Sequence, residues 1–263
     1  MSPGMAFLAV AAYSLQLYFD FSGYSDMAIG IGRLLGFRFK ENFLWPYAAT
    51  GIRDFWRRWH ISLSVWFRDY LYIPLGGGRA GTARACLNSL VVFTLCGVWH
   101  GVGLPFAAWG LWHGILVCCE RLFGPKPQTK GAPLPRRGFA AAAARFVLAH
   151  AYAIAAVFFG WIFFRSPDFS TAWTVVKSLF GAIPAAREAR TLWLDCTPLF
   201  SVTLAFAAVF CLPVVPFLRR QLRRIFGETA AWSLESIVAT ILFLAALLSV
   251  AAGTRQSFLY FQF

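Results

Sequence analysis

The chain has 263 residues, of which 59% are hydrophobic and only 13% charged, with 28 Phe, 11 Trp and 8 Tyr. That is too apolar for a disordered chain and leaves too little polar surface to cover a soluble globule, so it reads as an integral membrane protein. The 24 Lys and Arg against 11 Asp and Glu give a formal charge of +13, but the cations fall in the gaps between apolar runs, which fits the positive-inside rule and not nucleic-acid binding.

The first apolar run spans residues 4–21, near the roughly 20 residues that a transmembrane helix needs. No Lys or Arg precedes Met5, so a cleavable signal peptide is not expected. Asp20 and Asp26 bracket Phe21-Ser22-Gly23-Tyr24-Ser25; this reads either as the end of the helix at the interface or as the wall of a polar pocket. Gly30-Ile31-Gly32-Arg33-Leu34-Leu35-Gly36 misses the dinucleotide fingerprint by one residue and follows no strand.

Residues 38–84 carry eight Arg and Lys and three acids. Within them, over 51–73, Ile52, Phe55, Trp56, Trp59, Leu63, Trp66, Phe67 and Tyr70 recur at helical spacing on one face. Arg53, Arg57, His60, Ser64 and Arg68 fall toward the other. The pattern predicts one amphipathic helix lying in the membrane interface with its apolar face down. Gly76-Gly77-Gly78-Arg79 lacks a P-loop lysine; it is a flexible turn or a backbone nest for an anion.

Two short spans follow, 86–99 and 105–119, separated by Gly97, Gly101, Gly103 and Pro105. They form a tight hairpin or a broken, re-entrant pair, because irregular backbone survives at membrane depth only when buried in protein or lining a wet cavity. Residues 121–138, with five cations, no acid, four Pro and three Gly, read as a loop. Further spans are expected at 139–164, 198–218 and 231–251, with a weakly charged connector at 165–195 and Arg219-Arg220-Gln221-Leu222-Arg223-Arg224 between the last two. With the first three basic connectors inside, the spans alternate and the C-terminus lies outside. The fold class is thus all-α: a polytopic helical membrane protein with broken or re-entrant helices and an interfacial amphipathic helix.

The candidate chemistry is carried by the four histidines. His100 lies at the glycine-rich break, His113 inside the span after it, His60 on the polar edge of 51–73, and His150 in 139–164. A lone membrane histidine either makes a helix–helix hydrogen bond or marks a functional site. His150, with no polar company, reads as the former; for His100 and His113 both readings stand. Burial keeps an imidazole neutral, and a neutral imidazole can take the proton of an alcohol attacking an acyl carbonyl. No Gly-x-Ser-x-Gly elbow and no His-Glu-x-x-His occur, so a serine hydrolase and a metalloprotease find no support. Cys86, Cys96, Cys118, Cys119, Cys196 and Cys211 form no C-x-x-C; they read as small buried hydrophobes, and no metal or bound cofactor is expected.

Four stretches carry a family resemblance: Gln16 to Ala28 (QLYFDFSGYSDMA), Asp54 to Ser64 (DFWRRWHISLS), Trp66 to Gly77 (WFRDYLYIPLGG) and Trp99-His100-Gly101, together with the tail Phe258 to Phe263 (FLYFQF). In order and spacing they resemble the membrane-bound O-acyltransferase family, most closely its bacterial alginate O-acetyltransferase branch. The resemblance implies a single multi-pass domain over 1–263 in the bacterial inner membrane, among its lipids. It also implies that the chain is N-terminally truncated, corresponding to about the C-terminal half of a member. It carries the catalytic role to His100, joined by the second motif histidine, His60, which supports the site or acts at the cytoplasmic entrance, with Trp99, Asp54, Arg57 and His113 supporting the site or binding substrate. It further implies acetyl-CoA as donor, an exported polysaccharide such as alginate, cellulose or peptidoglycan as acceptor, and periplasmic partner proteins in acetyl transfer. A related protein transfers D-alanine to teichoic acid on the same scaffold. Two other classes remain: an inactive fragment or structural membrane subunit, suggested by the missing half, and a transporter, suggested by the broken helices.

Overall fold

A computed structural model of the chain describes residues 1–124, 139–182 and 197–252. The tail motif, most of the 121–138 loop and Cys196 lie outside them. The described residues are helical, without strands. In chain order they form α1 (Pro3–Leu34), a 3-10 turn (Pro46–Ala48), α2 (Ile52–Phe55), α3 (Ile61–Phe67), a π turn (Arg68–Tyr72), α4 (Thr82–His100), α5 (Leu104–Phe123), α6 (Phe139–Arg165), α7 (Phe169–Leu179), α8 (Pro198–Phe210) and α9 (Val214–Ala251). Among these, α1, α4, α6 and α9 are long and apolar enough to cross a membrane. The protein is an all-α polytopic membrane protein.

Helix α1 starts on a Ser2 cap, whose hydroxyl accepts from the Met5 N–H at 3.3 Å, with Pro3 in the first turn. It does not stop at Phe21–Ser25, as Asp20, Ser22, Gly23 and Asp26 led one to expect. It runs on to Leu34 and ends where Gly36, at φ +85°, lets the Phe37 N–H reach back to Gly32 O at 2.8 Å. Ser25 is held in the helix from outside, where its hydroxyl accepts from the Asn42 side-chain amide at 3.3 Å.

The glycine-rich break is a helical hairpin. Helices α4 and α5 pack backbone to backbone, because a Cβ at Gly97 would lie 2.2 Å from Phe106 O and one at Gly110 would lie 2.2 Å from Phe93 O. Gly110 and Gly114 form the small-x-x-x-small spacing that permits close approach of helices in lipid. Helix α6 closes the group on the other side of α5, where the Trp112 indole donates to Ala156 O at 2.9 Å. His150 donates from Nδ1 to Ala49 O at 3.1 Å, an inter-segment hydrogen bond of the kind its surroundings suggested.

Residues 51–73 are not one amphipathic helix. The helix breaks after Phe55, His60 adopts a left-handed conformation at φ +42°, and the chain restarts as α3 and tightens into the π turn. The break splits the apolar face. Ile52, Phe55 and Trp59 are buried against α1, α5 and α6, whereas Trp66 and Tyr70 stay exposed. Tyr47 fastens this layer by donating to Ser14 O in α1 at 2.6 Å and accepting from the Trp161 indole of α6 at 3.2 Å.

Two further differences concern the second half. The connector 165–195 contains α7, started by Asp168, whose carboxylate accepts from the Thr171 N–H at 2.7 Å. The expected span 198–218 is broken at Cys211–Pro213 into α8 and the start of α9. The 13 residues of α8 rise about 20 Å, short of the roughly 30 Å hydrocarbon core. Helix α9 turns sharply at Gly227, at φ +79°, and Arg219 and Glu235, eight residues to either side, pair at 2.8 Å. The chain therefore doubles back there.

Candidate functional site

His100 is the last residue of α4, followed by Gly101 in extended backbone. Its ring lies edge-on to Trp99 at 4.7 Å, to Trp109 of α5 at 5.3 Å and to Phe164 of α6 at 5.0 Å. The α4–α5 turn thus sets the imidazole at the mouth of an aromatic cluster shared by three helices.

Trp109 joins His100 to His113. Its ring sits 5.3 Å from the first and 5.4 Å from the second and stacks on Trp161 at 5.9 Å. His113 is fully buried. Its Nδ1 accepts from the Trp56 indole N–H at 3.4 Å, so its neutral form carries the proton on Nε2. That Nε2 and the Trp109 indole N–H have no hydrogen-bond partner among the described residues. On the far side His113 rests against Gly160, where a Cβ would lie 2.6 Å from Nε2.

His60 approaches from the other side. Among the described residues it is one of two non-glycine residues with positive φ, a conformation that costs about 1–2 kcal/mol and that gathers at functional sites. Asn42 holds it there: its side-chain oxygen accepts from the Ser62 N–H at 3.1 Å, from the Ser62 hydroxyl at 3.1 Å and from His60 Nδ1 at 3.4 Å. This caps α3 from outside and aims the lone pair of Nε2 away from Asn42. Phe21 lies edge-on at 4.7 Å. Burial among these rings lowers the His60 pKa from 6.5 to about 4.

Asp54 and Arg57 lie in the layer that carries His60, and Trp99 adjoins His100 in α4. Asp54 pairs with Arg58 at 2.9 Å and accepts from the Thr50 N–H at 3.4 Å, tying the short helix to its own flanks. Arg57 is exposed. Trp99 touches His100 but leaves 58% of its surface open. Sequence reasoning had not assigned Asn42, Trp56, Trp109, Phe164 or Glu120 to the site, although Trp56 stood on the apolar face of 51–73. The Glu120 carboxylate at the end of α5 accepts from the Ile52 N–H and, at 3.0 Å, from the Arg53 N–H, so it caps α2 and fixes the layer that carries Trp56 and His60. A carboxylate at the end of an apolar span was the available signal.

A cavity of about 180 Å³ lies between α3, the π turn and α4, lined among others by Trp56, Phe67, Arg68, Tyr72, Phe93 and Cys96. A larger one, about 640 Å³, lies between α1 and α8 and includes Asp20 and Gln16.

The profile of MBOAT, the membrane-bound O-acyltransferase family, matches residues 3–128. A probable alginate O-acetylase AlgI of Pseudomonas putida is 36% identical over 99% of this chain and 54% of its own length. Another from Azotobacter vinelandii is 46% identical over 67% of this chain and 33% of its own. A peptidoglycan O-acetyltransferase of Helicobacter pylori is 40% identical over 67% of this chain and 32% of its own. At its longest match the chain spans about half the length of these relatives. With the glycine-packed helical hairpin, the Trp99-His100-Gly101 break and the aromatic cluster behind it, these matches establish that the chain belongs to the membrane-bound O-acyltransferase family.

Proposed function

We propose that the protein is an O-acetyltransferase of the bacterial inner membrane. It takes an acetyl group from acetyl-CoA on the cytoplasmic side and passes it toward hydroxyls of an exported polysaccharide such as alginate, together with periplasmic partner proteins. The observation that carries this reading is the position of His100: a half-buried imidazole on a glycine-flanked helix end, walled by Trp109 and Phe164. Membership of an O-acyltransferase family and similarity to proteins named for alginate and peptidoglycan O-acetylation support it.

In this scheme His100 is the general base. It takes the hydroxyl proton as the oxygen attacks the thioester carbonyl. The C–O bond forms, the C–S bond breaks, and the imidazolium returns the proton to the departing thiolate. His60 supports the site from the layer above.

The test is the O-acetyl content of exported polysaccharide in cells lacking their own enzyme of this kind. The chain, its His100→Ala variant and a form extended by any upstream in-frame sequence are supplied in turn. A fall of about 100-fold or more is expected for His100→Ala; unchanged acetylation in a correctly inserted variant rejects the assignment. Acetylation by the extended form alone means that the site needs helices beyond these 263 residues.

A further inference from the structure

Ser89, Val92, Phe93 and Cys96 recur at i, i+3, i+4 and i+7 on one face of α4, and all four line the 180 Å³ cavity. His100 continues that face four residues beyond Cys96, about 6 Å further along the axis. The cavity is therefore directed at the proposed base. Its two ends differ in chemistry. Near the start of α4 stand Arg68, which is ion-paired with Asp69 at 2.7 Å, and Tyr72, whose hydroxyl accepts from the Arg121 guanidinium at 2.9 Å. Toward His100 the walls are Trp56, Phe93 and Cys96, and Trp56 touches Trp109 at 5.7 Å. A polar mouth, with the Arg121 guanidinium reaching Tyr72 and the Arg68–Asp69 pair beside it, and an apolar inner end suit a polar, charged carrier bearing a small acyl group.

The inner end has little freedom to widen. The Phe93 carbonyl abuts the Gly110 backbone, so the helix packing fixes its Cα, and its ring meets Trp56 at 5.2 Å. Trp56 is itself tied to His113.

We infer that this cavity receives the acyl end of the thioester donor, and that Phe93, seated against Trp56, is a specificity-determining residue that restricts transfer to short acyl groups. The inference rests on the acyl-transfer reading above. Each methylene beyond acetyl meets two rings held in place from behind, and one methylene in a tight apolar pocket is worth about 10–200-fold in rate.

The experiment compares acetyl-CoA with butyryl-CoA as donors for the protein in membrane vesicles, in wild type, Phe93→Ala, Phe93→Leu and, as a control in the other cavity, Phe206→Ala. The butyryl-to-acetyl rate ratio is expected to rise about tenfold or more in Phe93→Ala, by less in Phe93→Leu, and not in Phe206→Ala. An unchanged ratio in a folded Phe93 variant overturns the inference. A readout independent of turnover is labelling of Cys96 by a small methanethiosulfonate, followed by peptide mass spectrometry. Slower labelling in the presence of acetyl-CoA is expected, and absence of protection also overturns the inference. Protection of Cys96 in a wild-type protein that transfers nothing leaves the cavity assignment standing and rejects the acyl-transfer reading.

Discussion

The indole N–H of Trp56 donates to Nδ1 of His113 across 3.4 Å, joining the break after α2 to the middle of α5. The bond selects one tautomer of a fully buried imidazole and places the layer that carries His60 against the helix that carries Trp109. Replacing Trp56 with Phe keeps a ring in the cluster but leaves His113 Nδ1 without its donor. Such a buried loss costs about 1–3 kcal/mol. Thermal unfolding of the purified variant should show the midpoint falling; a midpoint equal to that of wild type contradicts this role.

Gly160 is required by what lies opposite it. A methyl group there would sit 2.6 Å from His113 Nε2, and the ring cannot step back while Trp56 holds its other nitrogen. Gly160→Ala is expected to destabilise by about 1–3 kcal/mol, the usual range for overpacking. The same substitution at Gly23, where no atom lies within 4 Å, is expected to be neutral or stabilising, since alanine favours helix. Equal effects at the two positions in a thermal-shift assay would refute the contact.

His60 makes stability depend on pH with a definite sign. Unfolded, it takes a proton near 6.5; folded, burial lowers that to about 4. Between these values the unfolded chain binds more protons, so stability rises with pH. The contribution is complete above about 6.5 and is lost progressively as pH falls toward 4. Over pH 4.5 to 7 the wild-type unfolding midpoint is expected to drop on acidification more than that of His60→Gln. Parallel curves for the two proteins would show that His60 is not buried as described.

The class of the fold was legible because lipid demands long apolar helices, and α4, α5 and α6 stand close to where hydropathy put them. The ends of elements were not. Gly23 and Ser25 read as stop signals, yet α1 passes through them, because tertiary contacts such as Asn42 to Ser25 outweigh a weak local preference. The reverse occurred at His60, where no glycine or proline announces a break and the left-handed turn is held by Asn42, eighteen residues away. Periodicity showed that residues 51–73 have an apolar face, but it could not tell protein from lipid as the surface covering it. Helix α7 was legible in principle, since Asp168 three residues before Thr171 is an N-cap signal, but charge in the connector masked it. Of the candidate site, His100 and His60 were named from their motifs, whereas the rings that surround them were not. Trp56 meets His113 across fifty-seven positions, a relation that spacing in one chain does not encode.

The doubled-back helix α9 differs from α4 to α6 in what its surface meets. Its stretch beyond Gly227 is strongly apolar, and its most hydropathic window buries nothing inside the described structure. Helices α4 to α6 owe their place to glycine-close packing, which travels with the protein into any detergent that spares it. The outer arm of α9 has no such packing among the described residues, and its apolar surface calls for an apolar covering. It should answer to bilayer thickness, by tilt or by exposure of its ends, while the histidine cluster stays as it is. A change in bilayer thickness is therefore expected to act on the arm of α9 before it acts on the histidine cluster.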